Sequence, residues 1–476
     1  MFVEFICLVN SFFIIYACAL FAVYISITIL SFFEMKKYIN RNRYIDYDVL
    51  KSFYKLPSVS IIAPAYNEGK TIVENINCLL NIRYQNFEII IVNDGSKDNT
   101  LEIIIEHFEL IKVQQACDMV LDCMPIKTIH KSRNSAYNHL VIVDKENGGK
   151  ADALNAGINV SQKELFLALD VDCIIEPDAI LRMAKPFLDS DEVVIASGGV
   201  VRIANSCEVK NGEIVKIHYP SNFWAKFQIL EYFRAFTMGR MAWSKLNGLL
   251  IISGAFGLFD KKLVIKAGGY DKSSVGEDLE LVVRLRRYMH EVEKVKYKVA
   301  FIPDPLCWTE VPESYKVLSQ QRNRWARGGI DTVLKHRKMF LNPKYGLIGM
   351  ISFPYWFLFE WLAPIIEFVG IVYFVLITIL GKLDVTVFVL LTIFVLFFSV
   401  MYSVFAIFLE TYSYDKYHNA RNRIQAFIFI FLEMVIYQPL NMYFSLSGNY
   451  DYFFKKNKRG WGEMTRKGFT KKYSSK

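Results

Sequence analysis

Several short polar clusters in this chain carry residue types that could do chemistry together. Asp170-Val171-Asp172 sets two carboxylates one residue apart at the end of an apolar run. Such a pair can hold a divalent cation, and oxygen donors suit Mg²⁺ or Mn²⁺. The cation would let a carboxylate-lined site accept a diphosphate and would neutralise its charge as a Lewis acid. Tyr66-Asn67-Glu68 and Asn93-Asp94-Gly95-Ser96 also follow apolar runs, and Gly276-Glu277-Asp278 opens a segment with helical spacing. Gln321-Arg322-Asn323-Arg324-Trp325 adds cations and an indole. The glycines fit neither a GxGxxG dinucleotide loop nor a GxxxxGK[ST] phosphate loop, which argues against the dehydrogenase and NTPase classes.

Each cluster needs an element to hold it. Residues 59–65, 87–92, 140–143 and 165–169 read as strands, and 71–82 and 101–108 as helices. The loop KENGGK runs into a further helix, KADALN onwards. This alternation predicts an α/β fold, Rossmann-like, with a mostly parallel, doubly wound sheet. Continuous apolar strands fit a sheet covered on both faces. The clusters at 66–68, 93–96 and 170–172 then fall just past the C-terminal ends of strands, where open α/β sheets bind ligands. Any one of them is also an ordinary acidic turn; three in register on successive strands make a site. Residues 252–259 (ISGAFGLF) form a small-residue stretch where backbone can approach a ligand. Asp278 taken alone reads first as a helix N-cap, and Trp325 equally as an interfacial aromatic on a basic juxtamembrane helix. The stretch 109–139 reads as an added helix and loop.

Composition sets the surroundings of this unit. The 476 residues are 53% hydrophobic and 15% aromatic, yet 22% are charged. That excludes disorder and a small disulfide scaffold, and points to a soluble body joined to membrane segments. Residues 5–33 form an uninterrupted apolar run, longer than the roughly 20 residues that span a bilayer. MKKYINRNR follows it, so the positive-inside rule places the catalytic region in the cytoplasm. The expected organisation is a transmembrane helix over 1–36, a cytoplasmic domain over 57–340, a transmembrane bundle over 345–447 and a basic cytoplasmic tail over 448–476. Keeping that tail inside needs an even number of crossings after the soluble domain. Two crossings within 345–380, or a last segment that re-enters at a break at Gln438-Pro439, would supply it. The eight cysteines form no CxxC pair and read as reduced, packed thiols. The net charge of +9 lies partly in membrane flanks, and no basic stripe interleaved with aromatics points to nucleic acid.

PAYNE, VNDGS, KADALN, DVD, ISGAFG, GED and QRNRW, in this order between membrane segments, resemble the processive membrane branch of glycosyltransferase family 2. That branch holds cellulose, hyaluronan, poly-N-acetylglucosamine and mixed-linkage glucan synthases. The resemblance implies a GT-A nucleotide-sugar domain. It implies that Tyr66, Asn67, Glu68 and Asp94 hold the nucleotide and that Asp152 lies near the donor. Asp170 and Asp172 would engage the diphosphate through the metal, and Asp278 would be the general base. Arg324 would hold the diphosphate, Trp325 would stack on the acceptor sugar, and Gln321 and Glu277 would lie on the acceptor side. Where cellulose synthases carry TED, this chain carries GED.

The expected activity is an inverting, processive transfer from a UDP-sugar that builds a β-linked polysaccharide and threads it across the cell membrane. A β-glucan from UDP-glucose is favoured slightly over poly-N-acetylglucosamine. The partners are then the UDP-sugar, the growing glycan and the lipid bilayer. Two alternatives stand beside it. One is a transferase that adds a single sugar to a lipid. The other is a transporter or nucleotide sensor without catalysis, for which Glu360, Glu367 and Glu433 would line a conduction path, since ionisable groups inside a membrane are costly and functional.

Overall fold

The computed structural model describes residues 2–47, 49, 55–210, 212–414, 417 and 419–455. The tail beyond Lys455 lies outside the described residues. The chain opens with a helix, Phe2–Asn42, whose 41 residues at ~1.5 Å each exceed the thickness of a hydrocarbon core. Its C-terminal end is tied to the soluble body, where the Tyr38 hydroxyl donates to Asp304 at 2.5 Å.

The strands follow as β1 (Val59–Ala65), β2 (Phe87–Asp94), β3 (Leu110–Val113), β4 (Ile126–Ser132), β5 (Leu140–Lys145) and β6 (Leu165–Leu169). Then come β7 (Ile174–Ile175), β8 (Val193–Ile203), β9 (Glu208–Lys210), β10 (Glu213–Lys216), β11 (Phe256–Asp260) and β12 (Tyr297–Thr309). All but the β9–β10 hairpin join one sheet in the order β3-β4-β5-β2-β1-β6-β11-β8-β12-β7. The run β5-β2-β1-β6 is parallel, as the βα alternation predicts. The sheet as a whole is mixed, because β11 runs antiparallel to both β6 and β8, and β3, β4 and β7 add antiparallel edges. The expectation of a mostly parallel sheet holds for the first half only. In the second half β8 and β12 still pair in parallel, but β11 between β6 and β8 runs the other way, and antiparallel neighbours need no crossover helix.

The stretch 109–139 is not an added helix and loop. It folds as β3 and β4, which extend the sheet from β5 with Lys112 opposite His130 and Ile129 opposite Val143. β4 lies between β3 and β5, and in IKTIHKS only Ile129 and His130 are buried, so the strand lacks the continuous apolar run of the sheet's centre. Helices Ile72–Leu80, Thr100–His107 and Lys150–Val160 pack on the sheet.

Three further apolar helical units follow the soluble body. Residues Ile348–Trp361 and Ala363–Ile379 form one pair bent by 43°, in place of two antiparallel crossings. Val385–Ser413 is the second unit and Arg421–Phe454 the third. Together with the N-terminal helix, three helices are long and apolar enough to cross a membrane, or four if the bent pair is one span. The last unit runs through Gln438-Pro439 without the expected break. A π turn, Glu433–Tyr437, precedes the proline, and its wider turn accommodates the missing amide and the bulk of the ring. Both ends of this last unit rest on helices of the soluble body. Phe429 packs on Phe223 and Phe227, and Asn323 donates to Ser447 (3.2 Å) and Asp451 (2.9 Å).

Candidate active site

The C-terminal ends of β1, β2, β5 and β6 carry the polar clusters, in two separate groups. At the β1–β2 side, Asn67 takes a left-handed conformation (φ 57°) and its Oδ1 accepts from the Lys97 amide at 2.8 Å. The Glu68 amide donates to Thr100, and Tyr66 is exposed. Asp94 is buried and saturated. Its carboxylate takes Lys145 Nζ (2.6 Å), Asn147 Nδ2 (3.1 Å) and the amides of Gly148 (3.0 Å) and Gly149 (2.8 Å). Lys145 also reaches Asp152 at 2.7 Å, and Asp152 accepts from the Met124 amide. One fully buried lysine thus joins the VNDGS and KADALN motifs, and the Asp94 carboxylate shapes the loop Asn147–Lys150.

The second group surrounds a cavity of about 1480 Å³ that runs from β6 to the membrane helices. Lys150 sits at its centre. Its Nζ lies 2.5 Å from Asp170 and 3.6 Å from Glu277, and it donates to the Gly254 carbonyl at 3.1 Å. Burial disfavours the charged lysine, but Asp170 and Glu277 outweigh it and hold Lys150 protonated. The Gly254 amide, in turn, donates to Asp278 Oδ2 at 2.9 Å. One residue of ISGAFG, Gly254, is therefore clasped between KADALN and GED. A methyl group at position 254 would sit 3.1 Å from Asp278 Oδ2, so this close approach needs glycine. Asp278 is not the helix N-cap: Gly276 holds that position for helix Glu277–Tyr288. The buried Glu277 carboxyl is pushed up by burial, against Lys150 and Arg324.

Helix Tyr315–Lys335 brings the QRNRW segment to the same cavity. A second pair of glycines sets its approach, since a Cβ on Gly276 would meet Gly328 Cα at 2.9 Å. Trp325 is 44% exposed and lines the cavity with Gln321 and Arg324. Arg322 carries the indole, with its guanidinium 4.0 Å from the ring centroid, and is anchored to Glu231 at 2.7 Å. Further along, the cavity reaches Glu360, which accepts from Tyr355, and Trp361, which donates to Asn449.

Asp170, Asp172 and Cys173 bring ligand atoms within 4.8 Å of one another. The hydrogen bond to Cys307 and burial push the Cys173 thiol well above its ordinary range, so it stays protonated. The two carboxylates remain as hard oxygen donors, a set that fits Mg²⁺ or Mn²⁺.

Of the residues singled out in the sequence, Asp170, Asp172, Glu277, Asp278, Gln321, Arg324 and Trp325 line the cavity. Tyr66, Asn67, Glu68, Asp94 and Asp152 lie outside its walls. Lys145, Lys150 and Arg322 were not singled out. Lys150 lies inside KADALN and Arg322 inside QRNRW, so the motifs held the signal; Lys145 gave none.

A family model described as glycosyl transferase family 2 matches residues 60–263, and one described as glycosyl transferase family group 2 matches residues 165–402. The chain belongs to glycosyl transferase family 2, and its soluble body has the GT-A fold. Among curated relatives, a poly-β-1,6-N-acetyl-D-glucosamine synthase of Staphylococcus epidermidis is 29% identical over 281 residues, 59% of this chain and 57% of the relative. The synthase of the same name from Staphylococcus aureus strain COL is 28% identical over 282 residues, again 59% and 57%. The chain thus matches less than two thirds of the length of these relatives. A mannosyltransferase from Pyrobaculum calidifontis, solved with GDP-Man and Mn²⁺, covers 92% of this chain and 100% of its own at a TM-score of 0.51 and 16% identity, a likeness of fold.

Proposed function

We propose that this protein is an inverting, processive synthase that extends a β-linked glycan from a UDP-sugar and passes it toward the membrane. The observation that carries the reading is the single cavity. It joins the Asp170–Asp172 pair and Asp278 to Trp325 and then to Glu360 and Trp361 in the apolar helices. A cavity continued in this direction suits a glycan that stays bound as it grows. The relatives named as N-acetylglucosamine polymer synthases favour UDP-N-acetylglucosamine over the UDP-glucose that the motifs alone favoured.

In this reading the acceptor hydroxyl attacks the anomeric carbon of the donor sugar. Asp278 takes the hydroxyl proton, the new C–O bond forms, and the bond to the diphosphate breaks with its electron pair leaving on the phosphate oxygen. No covalent enzyme intermediate is needed, so one base suffices. The Gly254 and Leu279 amides each donate to one Asp278 oxygen and so fix the carboxylate at the cavity wall. Lys150 and Arg324 supply positive charge near the leaving group, and guanidinium suits phosphate geometry. A divalent cation held by Asp170 and Asp172 would supply charge neutralisation of the diphosphate. Trp325, supported by Arg322, offers a flat face to the apolar face of the acceptor sugar.

The packing also supports a topology. Both ends of Arg421–Phe454 rest on helices of the soluble body, which favours a helix laid along the cytoplasmic face. The bent pair and Val385–Ser413 then cross, the even number that a basic cytoplasmic tail calls for. Glu433, buried in an ion pair with Arg234, fits a structural tie better than a conduction path.

Incubation of the purified protein with UDP-N-acetylglucosamine and UDP-glucose separately, followed by linkage analysis, tests the substrate. A polymer from the first is expected; a polymer from UDP-glucose alone overturns the assignment.

A further inference from the structure

The cavity holds a cation that the mechanism above does not use. Arg240 ends the π turn Phe233–Arg240 and lines the cavity with Asp278, Gln321 and Trp325. Its Nη1 is buried and has no hydrogen-bond partner. Among the described residues no carboxylate pairs with it. Three other arginines between the soluble body and the apolar helices each have a carboxylate partner, although Arg202 Nε and Arg322 Nε and Nη1 also lack a hydrogen-bond partner. Arg202 pairs with Glu410, Arg234 with Glu433 and Arg322 with Glu231. Arg240 instead lies over the ring of Phe236, 3.7 Å from its centroid. Burial pushes its guanidinium down to about 10, and the Asp278 carboxylate partly offsets that.

A buried guanidinium with an unmet donor weakens the fold unless a ligand completes it. π turns, moreover, recur at functional sites. The ligand can be narrowed by what surrounds the group. Lys150 is committed to Asp170, so the donor side already has a cation. The acid that Arg240 feels is Asp278, on the acceptor side. Glu231, Glu277 and Asp278 line the same walls, which disfavours an anion at this depth and leaves a neutral, oxygen-rich ligand. The Phe236 ring fixes the guanidinium plane, so its edge, which carries the donors, meets that ligand.

We propose that Arg240 is an acceptor-binding residue, whose Nη1 donates to a hydroxyl or ring oxygen of the terminal sugar and so helps select the hydroxyl that meets Asp278. This rests on the synthase reading given above.

The test uses the full chain in lipid nanodiscs, with Arg240→Met and Arg240→Lys. Titration calorimetry gives the Kd of UDP. Initial rates against a β-linked N-acetylglucosamine oligomer give kcat/KM for the acceptor. Arg240→Met is expected to lower acceptor kcat/KM by about tenfold to a hundredfold, with the Kd of UDP unchanged within about twofold. Arg240→Lys, which keeps the charge and loses the fork, is expected to show the same split at smaller size. If the Met variant does not fold, the Lys variant carries the test. UDP binding weakened in the same proportion as acceptor use would overturn the proposal in favour of a diphosphate contact. Unchanged acceptor kcat/KM would overturn it as well. A wild-type protein that does not bind UDP would refute the synthase reading itself, and is read separately from either variant.

Discussion

The two ends of the ligand-binding edge are built on opposite plans. At the β2–β5 end, Asp94 and Asp152 share Lys145, and both Asp94 oxygens take amide donors from the loop after β5. At the β6 end, Asp278, Trp325, Gln321 and Arg240 face a cavity, and Gln321 Oε1 and Arg240 Nη1 have no partner among the described residues. One end uses its motif residues to hold loops in shape; the other holds them ready for a ligand. A motif of family 2 therefore does not assign a single kind of role. In the proposed reading VNDGS would act on the ligand through backbone that Asp94 arranges, whereas GED would present Asp278 to it directly.

Mutations can break this contrast. Asp278→Asn is expected to have the largest effect on rate, a loss of about 10²–10⁴-fold in sugar transfer with UDP affinity retained. Radiolabelled transfer assays and UDP titration check both halves of that statement. Lys145→Met should act on folding first. It leaves two buried carboxylates without their cation, at a cost of about 3–5 kcal/mol, and a lowered thermal unfolding midpoint in detergent is the readout. If Lys145→Met instead left stability intact and abolished donor binding, the two ends would not differ as described.

Smaller changes sharpen the same contrast. Gly328→Ala should push helix Tyr315–Lys335 away from Gly276, with an overpacking cost of about 1–3 kcal/mol. Its expected signature is a fall in kcat greater than any rise in the Kd of UDP. Trp325→Ala should raise the acceptor KM by about tenfold and leave UDP binding alone, since stacking of this kind contributes about 0.5–1.5 kcal/mol. The smallest effect concerns pH. Burial alone would raise the Asp271 carboxyl, but hydrogen bonds from Lys335 and Ser273 outweigh it and hold it at about 2. Its folded pKa is thus below the unfolded value of about 3.9, so its stabilisation is present above pH 4 and fades as pH falls toward 2. Lys335→Met should flatten that part of the stability–pH curve.

Much of the first half of the sheet was legible from sequence because parallel, doubly buried strands are uniform apolar runs, as FEIIIV and LFLAL show. The β3–β4 edge was misread because its strands alternate charge with apolar residues and a long connection separates them. Helices do separate β8, β11 and β12, but β11 pairs antiparallel with both β6 and β8, so the helix–strand alternation there does not signal parallel neighbours. Within the site, the carboxylates and the QRNRW segment stood out by type and order. Lys145 did not, because a lysine after a strand is ordinary until the fold folds Asp94 and Asp152 around it. Arg240 was hidden for the same reason: only packing shows that it lacks the carboxylate each of its neighbours has.

The central claim is that Asp278 is the base of a polymerising UDP-sugar transferase. Purified protein in lipid, given labelled UDP-N-acetylglucosamine, tests it when released UDP and product length are measured together for wild type and Asp278→Asn. The account predicts long product and stoichiometric UDP from wild type, and neither from the variant. A single sugar attached to lipid, or polymer made by Asp278→Asn at a rate near that of wild type, would contradict it.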